Sequence, residues 1–300
     1  MLDLYRLRLR ATFLGAVRRF FDRQEFLEVD TPLRLPVIIP ETHIVPVEAD
    51  GLYLQASPEL CMKQLLAGGA ERIYQICSGF RKGERGRLHS EEFRILEWYR
   101  RRADYFQLME DCERLVGAVA ASLADPPELI PFAGLSLAGS WQRLSVAEAF
   151  ARYSPTTLEE SLERGIFEQM LVEHIEPCLG RKRPLFLYDY PVSLGSLARI
   201  SRTDSRWVER FELYMDGIEI ANGFSELYDP REQRARFATE IERISALYGR
   251  EMAMPEGFLS QLAKMGPAAG IALGLDRLFM LAINKTRLKA AQSFCLEEDF

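Results

Sequence analysis

Two carboxylates, Glu212 and Glu219, flank the dipeptide Asp216-Gly217 in the run RFELYMDGIEIANGFSEL. A two-residue turn at that dipeptide folds the run into a β-hairpin that pairs Met215 with Ile218, Tyr214 with Glu219 and Glu212 with Ala221. Glu212 and Glu219 then lie on one face as diagonal neighbours, roughly 7–8 Å apart. That separation lets both reach one hard divalent cation, and Mg²⁺ is usually held by one or two carboxylates together with substrate phosphates. A solvated acidic strand face gives the same pattern. Beyond Ala221, strand alternation turns Asn222, Phe224 and Glu226 away from Glu219, although Gly223 marks a place where a bulge would re-aim them.

A second chemical face is written in FRILEWY. Successive strand residues alternate sides, so Phe93, Ile95, Glu97 and Tyr99 line up together. An aromatic ring, a carboxylate and a phenol in line suit a pocket that stacks a planar group and holds a cation; a half-exposed edge strand is the alternative. In GLDRL, Asp276 is placed to cap a helix whose first turn carries Arg277, just after Gly274, so that backbone N–H groups and a guanidinium face an anion. His43, His89 and His174 have no metal-ligand spacing, and no Ser sits in a nucleophile elbow. Zinc chemistry and hydrolase triads are therefore unsupported.

These side chains need a frame, and the chain supplies one. RLRLRATFLGAVRRFFDRQEF has helical apolar spacing and runs into LEVDTP, where Pro32 ends ladder pairing. IVPVEADGLYLQAS reads as a hairpin on Asp50-Gly51. Ser57 as N-cap, Pro58, Glu59 and the terminator Gly68-Gly69 bracket a helix. RIYQICSGFR and EFRILEWYRR are two antiparallel strands joined by a long loop, and a helix covers 104–122. ADPPELIPFAGLSLAGSW is the one candidate internal boundary. Capping boxes at Ser145/Glu148 and Thr157/Glu160 announce a helical insert over about 145–180. PLFLYDYP is a strand, 230–248 a charged helix, and GIALGLDRLFMLAIN a strand turning into a helix. Hairpin-connected strands interspersed with helices predict an α+β domain built on an antiparallel sheet.

Composition agrees with one large globular unit: 300 residues, 48% hydrophobic and 27% charged. The net charge of -6 gives no broad footprint for nucleic acid phosphates. Five widely spaced Cys without a C-x-x-C pair read as small buried hydrophobes. The N-terminal stretch carries Arg throughout and has neither a signal-peptide core nor a membrane span, so a cytoplasmic location is expected.

Taken together these segments resemble the catalytic domain of class II aminoacyl-tRNA synthetases, the lysyl subgroup in particular. FLEVDTP is similar to motif 1, the dimer-forming element. FR at Arg81, its loop and HSEEFRILEWY resemble motif 2, and GIALGLDRL resembles motif 3. IEIANGFSEL is close to the lysine-pocket signature. The match runs in the expected order over residues 6–284. Only 31 residues precede Pro32, too few for the five-stranded OB-fold with which lysyl synthetases grip the anticodon. That, with Ala272 where the synthetases carry Gly, makes the chain similar to the stand-alone paralogue family that ligates a lysine, notably (R)-β-lysine, to a lysine of elongation factor P.

The resemblance implies a single class II domain over 1–300 without an anticodon module, a homodimer through motif 1, ATP as substrate with Mg²⁺, and neither anticodon-type tRNA binding nor membrane attachment. It also implies roles. Arg81 contacts the α-phosphate, Phe93 and Arg277 sandwich the adenine, and His89 belongs to the loop over the phosphates. Ile220 and Gly274 complete the nucleotide site, and Glu212 and Glu219 hold the metal. Ser57, Glu59, Glu97, Tyr99, Asn222, Glu226 and Ala272 line the amino-acid pocket, with Tyr99 and Glu226 receiving the terminal ammonium. One departure from the family pattern is Gly83, where a Glu is usual, with Glu84 one residue later; adenine recognition then falls to backbone or to a shifted Glu84. Two other readings stay open: a truncated synthetase that charges tRNA, and an inactive amino-acid-binding paralogue.

Overall fold

The computed structural model describes residues 1–124 and 129–294. Helix α1 (Leu4–Arg23) starts at Asp3, whose carboxylate accepts from Arg6 N at 2.8 Å, and buries Phe13, Val17, Phe20 and Phe21. It leads into β1 (Leu27–Glu28). A small sheet of β2 (Arg34–Leu35), β3 (Val47–Ala49) and β4 (Leu52–Leu54) includes the Asp50-Gly51 hairpin, with both turn residues at positive φ. Then come α2 (Glu59–Ala67), β5 (Arg72–Phe80), β6 (Glu92–Arg101) and α3 (Tyr105–Leu123), the last opened by an Asp104–Gln107 capping box.

After β7 (Gln142–Ser145), the helices expected over about 145–180 form as α4 (Val146–Tyr153), α5 (Leu158–Glu163) and α6 (Phe167–Met170), and both capping boxes form. This segment packs through Phe150, Phe167 and Leu171 against Leu187 and Tyr190 of β8 (Leu185–Pro191). The chain closes with β9 (Trp207–Met215), β10 (Ile218–Ser225), α7 (Pro230–Tyr248), α8 (Glu256–Met265), β11 (Ala268–Gly274) and α9 (Leu275–Ala282).

The main sheet has the order β1-β5-β6-β11-β10-β9-β8-β7. Its six inner strands are antiparallel as expected, but β1 and β7 join the edges in parallel, which makes the sheet mixed. Parallel pairing at the edges follows from helices, rather than hairpins, linking those strands into the sheet. One face carries Leu96, Trp98, Ile271, Leu273, Phe211 and Leu213 and is covered by α1, α3 and α9. Each fully buried large side chain there contributes about 2–3 kcal/mol by removal from water, so this face anchors the strands and leaves the opposite one free for polar groups. Cys77 and Cys112 are buried as expected, Cys61 is half-buried and Cys178 is exposed, a correction to the reading of all five as interior hydrophobes; Cys295 and residues 125–128 lie outside the described residues. No helix among the described residues is long and apolar enough to cross a membrane.

Candidate active site

Strand register decides which side chains meet. The Asp216-Gly217 turn forms and pairs Met215 with Ile218 and Tyr214 with Glu219, yet the ladder then shifts at a bulge between Glu219 and Ala221. Glu212 therefore pairs with Asn222, not with Ala221. The extra residue is Ile220, whose side chain is buried in the core, so the nucleotide role assigned to it by resemblance is not carried by its side chain. The bulge re-phases β10, and Asn222 and Phe224 face the same side as Glu212 and Glu219. Gly223 is not the bulge: a Cβ there would sit 2.8 Å from the Phe211 ring, so the glycine admits a core aromatic.

With this register one rung crosses the sheet through Gln75, Glu97, Ala272, Asn222 and Glu212. The next rung holds Ile73, Tyr99, Gly270, Phe224 and Arg210. Gly270 has no room for a side chain, since a Cβ would overlap the Tyr99 ring and Glu226 Oε1.

At one end lies a largely buried acidic pocket. Glu97 is wholly buried and accepts from Ser57 Oγ at 2.6 Å and from Tyr99 Oη at 2.8 Å. Burial and the nearby Glu59 lift its carboxyl to about 8 despite those donors. Ser57 Oγ also accepts from Glu59 N at 3.1 Å, but the N-cap of α2 is Pro58 rather than the expected Ser57, because the helix begins one residue later, at Glu59. Glu226, just beyond β10, is 0% exposed, and burial lifts it likewise, to about 8. Its Oε2 pairs with Lys63 Nζ at 2.5 Å, and Lys63 also bridges to Glu59. Among the described residues, Glu226 Oε1 meets no hydrogen-bond donor.

At the other end stand the basic groups. Arg277 donates through Nη1 to the Glu219 carbonyl at 2.9 Å and to its carboxylate at 3.3 Å, through Nε to Leu88 O at 3.2 Å, and lies 2.8 Å from His89 Nε2. Burial and that guanidinium hold His89 below its ordinary pKa. Arg81 lies over the Phe93 ring at 5.2 Å, and its buried Nε has no partner among the described residues. Gly274 is the N-cap of α9. Asp276 does not cap: its oxygens accept from Arg10 and Arg94 N, tying the helix start to α1 and β6. Gly83 N donates to the Glu91 carboxylate at 2.7 Å while Glu84 pairs with Arg81, so both are engaged within the loop.

Glu212 is buried rather than solvated. Arg210 Nη2 donates to one oxygen and Tyr214 Oη to the other, each at 2.7 Å, and burial raises its pKa. Arg210 also reaches Asn222 and Leu194 O and stacks on Tyr190 at 4.4 Å. Glu176 shares the Tyr214 hydroxyl at 3.0 Å. No set of three His, Cys, Asp or Glu among the described residues could hold a metal alone. Glu212 and Glu219 nevertheless offer hard oxygens on one face, which fits Mg²⁺ completed by phosphate oxygens.

The sequence reading missed Lys63, Arg210, Gly270 and Glu41, whose carboxyl faces Glu59, Arg81 and Arg210 and is lifted by burial to about 7. Arg210 shares strand parity with Glu212 and could have been found that way. Lys63 follows Glu59 by four residues in a helix, a spacing that ordinarily marks a surface ion pair.

A mixed sheet with an antiparallel centre, basic groups Arg81 and Arg277 toward one end and a buried acidic pocket toward the other is the arrangement of a class II synthetase-type catalytic domain. The chain belongs to the family of class II tRNA synthetases (D, K and N), whose model matches residues 4–298. It is 37% identical to the elongation factor P–(R)-β-lysine ligase of Edwardsiella ictaluri and 36% identical to those of Sodalis glossinidius and Pectobacterium carotovorum, over 96% of this chain and 94% of each relative.

Proposed function

We propose that this protein is an ATP-dependent, AMP-forming ligase that activates (R)-β-lysine or lysine and transfers it to a lysine side chain of elongation factor P. One observation carries the donor assignment: a wholly buried carboxylate, Glu226, with Oε1 unpartnered among the described residues, set beside Tyr99 and Gly270. An unsatisfied buried acceptor of that kind calls for a cationic ligand. The names of the relatives supply the acceptor.

In this reading the donor's terminal ammonium sits between Glu226 and Tyr99, its other amine faces Glu59, Glu97 and Asn222, and its carboxylate points toward Arg81. Phe93 and Arg277 take the two faces of adenine, and Arg81, with its free Nε, takes the α-phosphate. The donor carboxylate attacks the α-phosphorus, forming the acyl-phosphate bond and releasing pyrophosphate. Arg81 and Arg277 hold the negative charge, so catalysis is mainly positioning and electrostatics. Glu212 and Glu219 would hold Mg²⁺, which shields phosphate charge when bound. The acceptor amine then attacks the adenylate carbonyl, loses a proton and expels AMP, leaving an amide. A homodimer through motif 1 belongs to the same reading, supported by exposed Leu4, Tyr5, Leu7, Leu27 and Leu33 around α1 and β1.

The test combines ATP, Mg²⁺, labelled β-lysine or lysine, elongation factor P and tRNA. Alkali-stable label on the protein is expected. Alkali-labile label on tRNA alone would mean an ester, and a synthetase.

A further inference from the structure

Three carboxylates, Glu59, Glu97 and Glu226, converge on the donor pocket, and one cation of the protein's own stands among them. Lys63 is 1% exposed, bridges Glu59 and Glu226, and lies 5.1 Å from the centre of the Phe224 ring. It projects from α2, whose other buried side chains, Leu60, Met62 and Leu66, lock it against α8. The ammonium cannot leave without abandoning the buried Glu226 and the partly buried Glu59, a change worth several kcal/mol. The groups facing this centre are Glu59 from α2, Glu97 and Tyr99 from β6, Phe224 from β10, Glu226 beyond it, the backbone of Gly270 from β11, and Glu41 from the segment before β3. Burial opposes charge on Lys63, but the two carboxylates outweigh it and hold its pKa above the ordinary value.

We infer that Lys63 is a positioning residue that sets the charge of the donor pocket: by bridging Glu59 and Glu226 it offsets part of the charge of three converging carboxyl groups, so that a donor carrying two ammonium groups ionises and balances the rest. It also holds Glu226 by Oε2 and so turns Oε1 toward the pocket. The inference rests on the donor assignment above. It goes further in naming the residue that counts charges, one that touches no reacting atom.

The test uses pyrophosphate exchange with β-lysine from pH 6 to 9 on the full chain. Lys63→Met should raise the donor KM at least tenfold at pH 7, leave the ATP KM within twofold, and move the acid limb of donor kcat/KM up by about one unit, because the remaining carboxylates hold protons more tightly without their cation. Lys63→Arg should keep the wild-type limb. The double variant Lys63→Met/Glu59→Gln restores the charge balance and removes the buried pair together, which folds more readily than a half-pair; its acid limb should return toward wild type. The inference is overturned if Lys63→Met leaves KM and limb unchanged, or if the double variant's limb stays where the single variant's lies. Glu226→Gln separates the two levels. If it leaves the donor KM unchanged the donor assignment itself fails, whereas a raised KM beside an indifferent Lys63 overturns only the role of Lys63.

Discussion

Gly79 on β5 pairs directly with Phe93 on β6, and a Cβ built there would lie 2.7 Å from Phe93 Cζ and 2.8 Å from the Ala56 carbonyl oxygen. Ordinary contact begins near 3.4 Å, so Gly79→Ala demands about 0.7 Å from the Phe93 ring and about 0.6 Å from the Ala56 carbonyl oxygen. The Ala56 carbonyl lies in backbone held by Gln55 N to Leu33 O and Phe80 N to Gln55 O, each at 2.9 Å, whereas the Phe93 ring is half-buried and bounded by the Arg81 guanidinium. The ring should therefore move. A base stacked on an aromatic side chain gains about 1–3 kcal/mol, and losing about 1 kcal/mol of it raises the ATP KM roughly fivefold. Overpacking adds a stability cost of about 1–3 kcal/mol. The assay is pyrophosphate exchange with ATP varied at saturating lysine, alongside thermal melting. Gly117→Ala is the control, because its Cβ would meet nothing within 4 Å; in mid-helix it should stabilise by up to about 1 kcal/mol. An unchanged ATP KM in Gly79→Ala would refute the placement of adenine on Phe93.

Glu219→Gln should keep the apo melting temperature and abolish metal-dependent adenylation, whereas Glu212→Gln should also cost on the order of 3 kcal/mol, because it strands Arg210 as a buried cation; equal melting temperatures would mean that Glu212 is not structural. Glu97 has a folded pKa of about 8 against an ordinary 4.5, so the folded state binds its proton more tightly. That contribution is complete below about 4.5 and is lost as pH rises through about 8. Apo stability should accordingly fall as pH rises from about 4.5 to about 8, and Glu97→Gln should flatten the decline; parallel curves would refute the burial argument. Ala272→Gly, one strand from both Glu97 and Asn222, should improve use of α-lysine relative to the β isomer, checked as a ratio of kcat/KM values.

Local punctuation was legible in the sequence because it is settled by neighbouring residues. The Ser145 and Thr157 capping boxes, the Asp216-Gly217 turn and the face shared by Phe93, Glu97 and Tyr99 all stand where residue chemistry placed them. Register past the bulge was not legible, since the choice between Ala221 and Asn222 opposite Glu212 belongs to three strands packing together. Burial was equally hidden. A Glu-x-x-x-Lys pair reads alike on a wet helix and in a buried pocket, and only the arrival of Glu226 from a distant strand decides which Lys63 inhabits. The burial of Glu212 was hidden for the same reason: its partner Arg210 is held against Tyr190, which lies on another strand.

The rung through Glu97, Ala272, Asn222 and Glu212 runs across the strands rather than along one. Its length is thus three inter-strand spacings, about 14 Å, fixed by main-chain hydrogen bonds that no side-chain replacement alters. In the proposed reading the sheet serves as a ruler, with the amino-acid pocket at the Glu97 mark and the phosphate end at the Glu212 mark. Descendants of this domain can exchange one donor for another by editing the groups at either mark, but a reactant appreciably longer or shorter would need a strand inserted or removed. Such a lineage should diverge in what it recognises much sooner than in the span of what it joins.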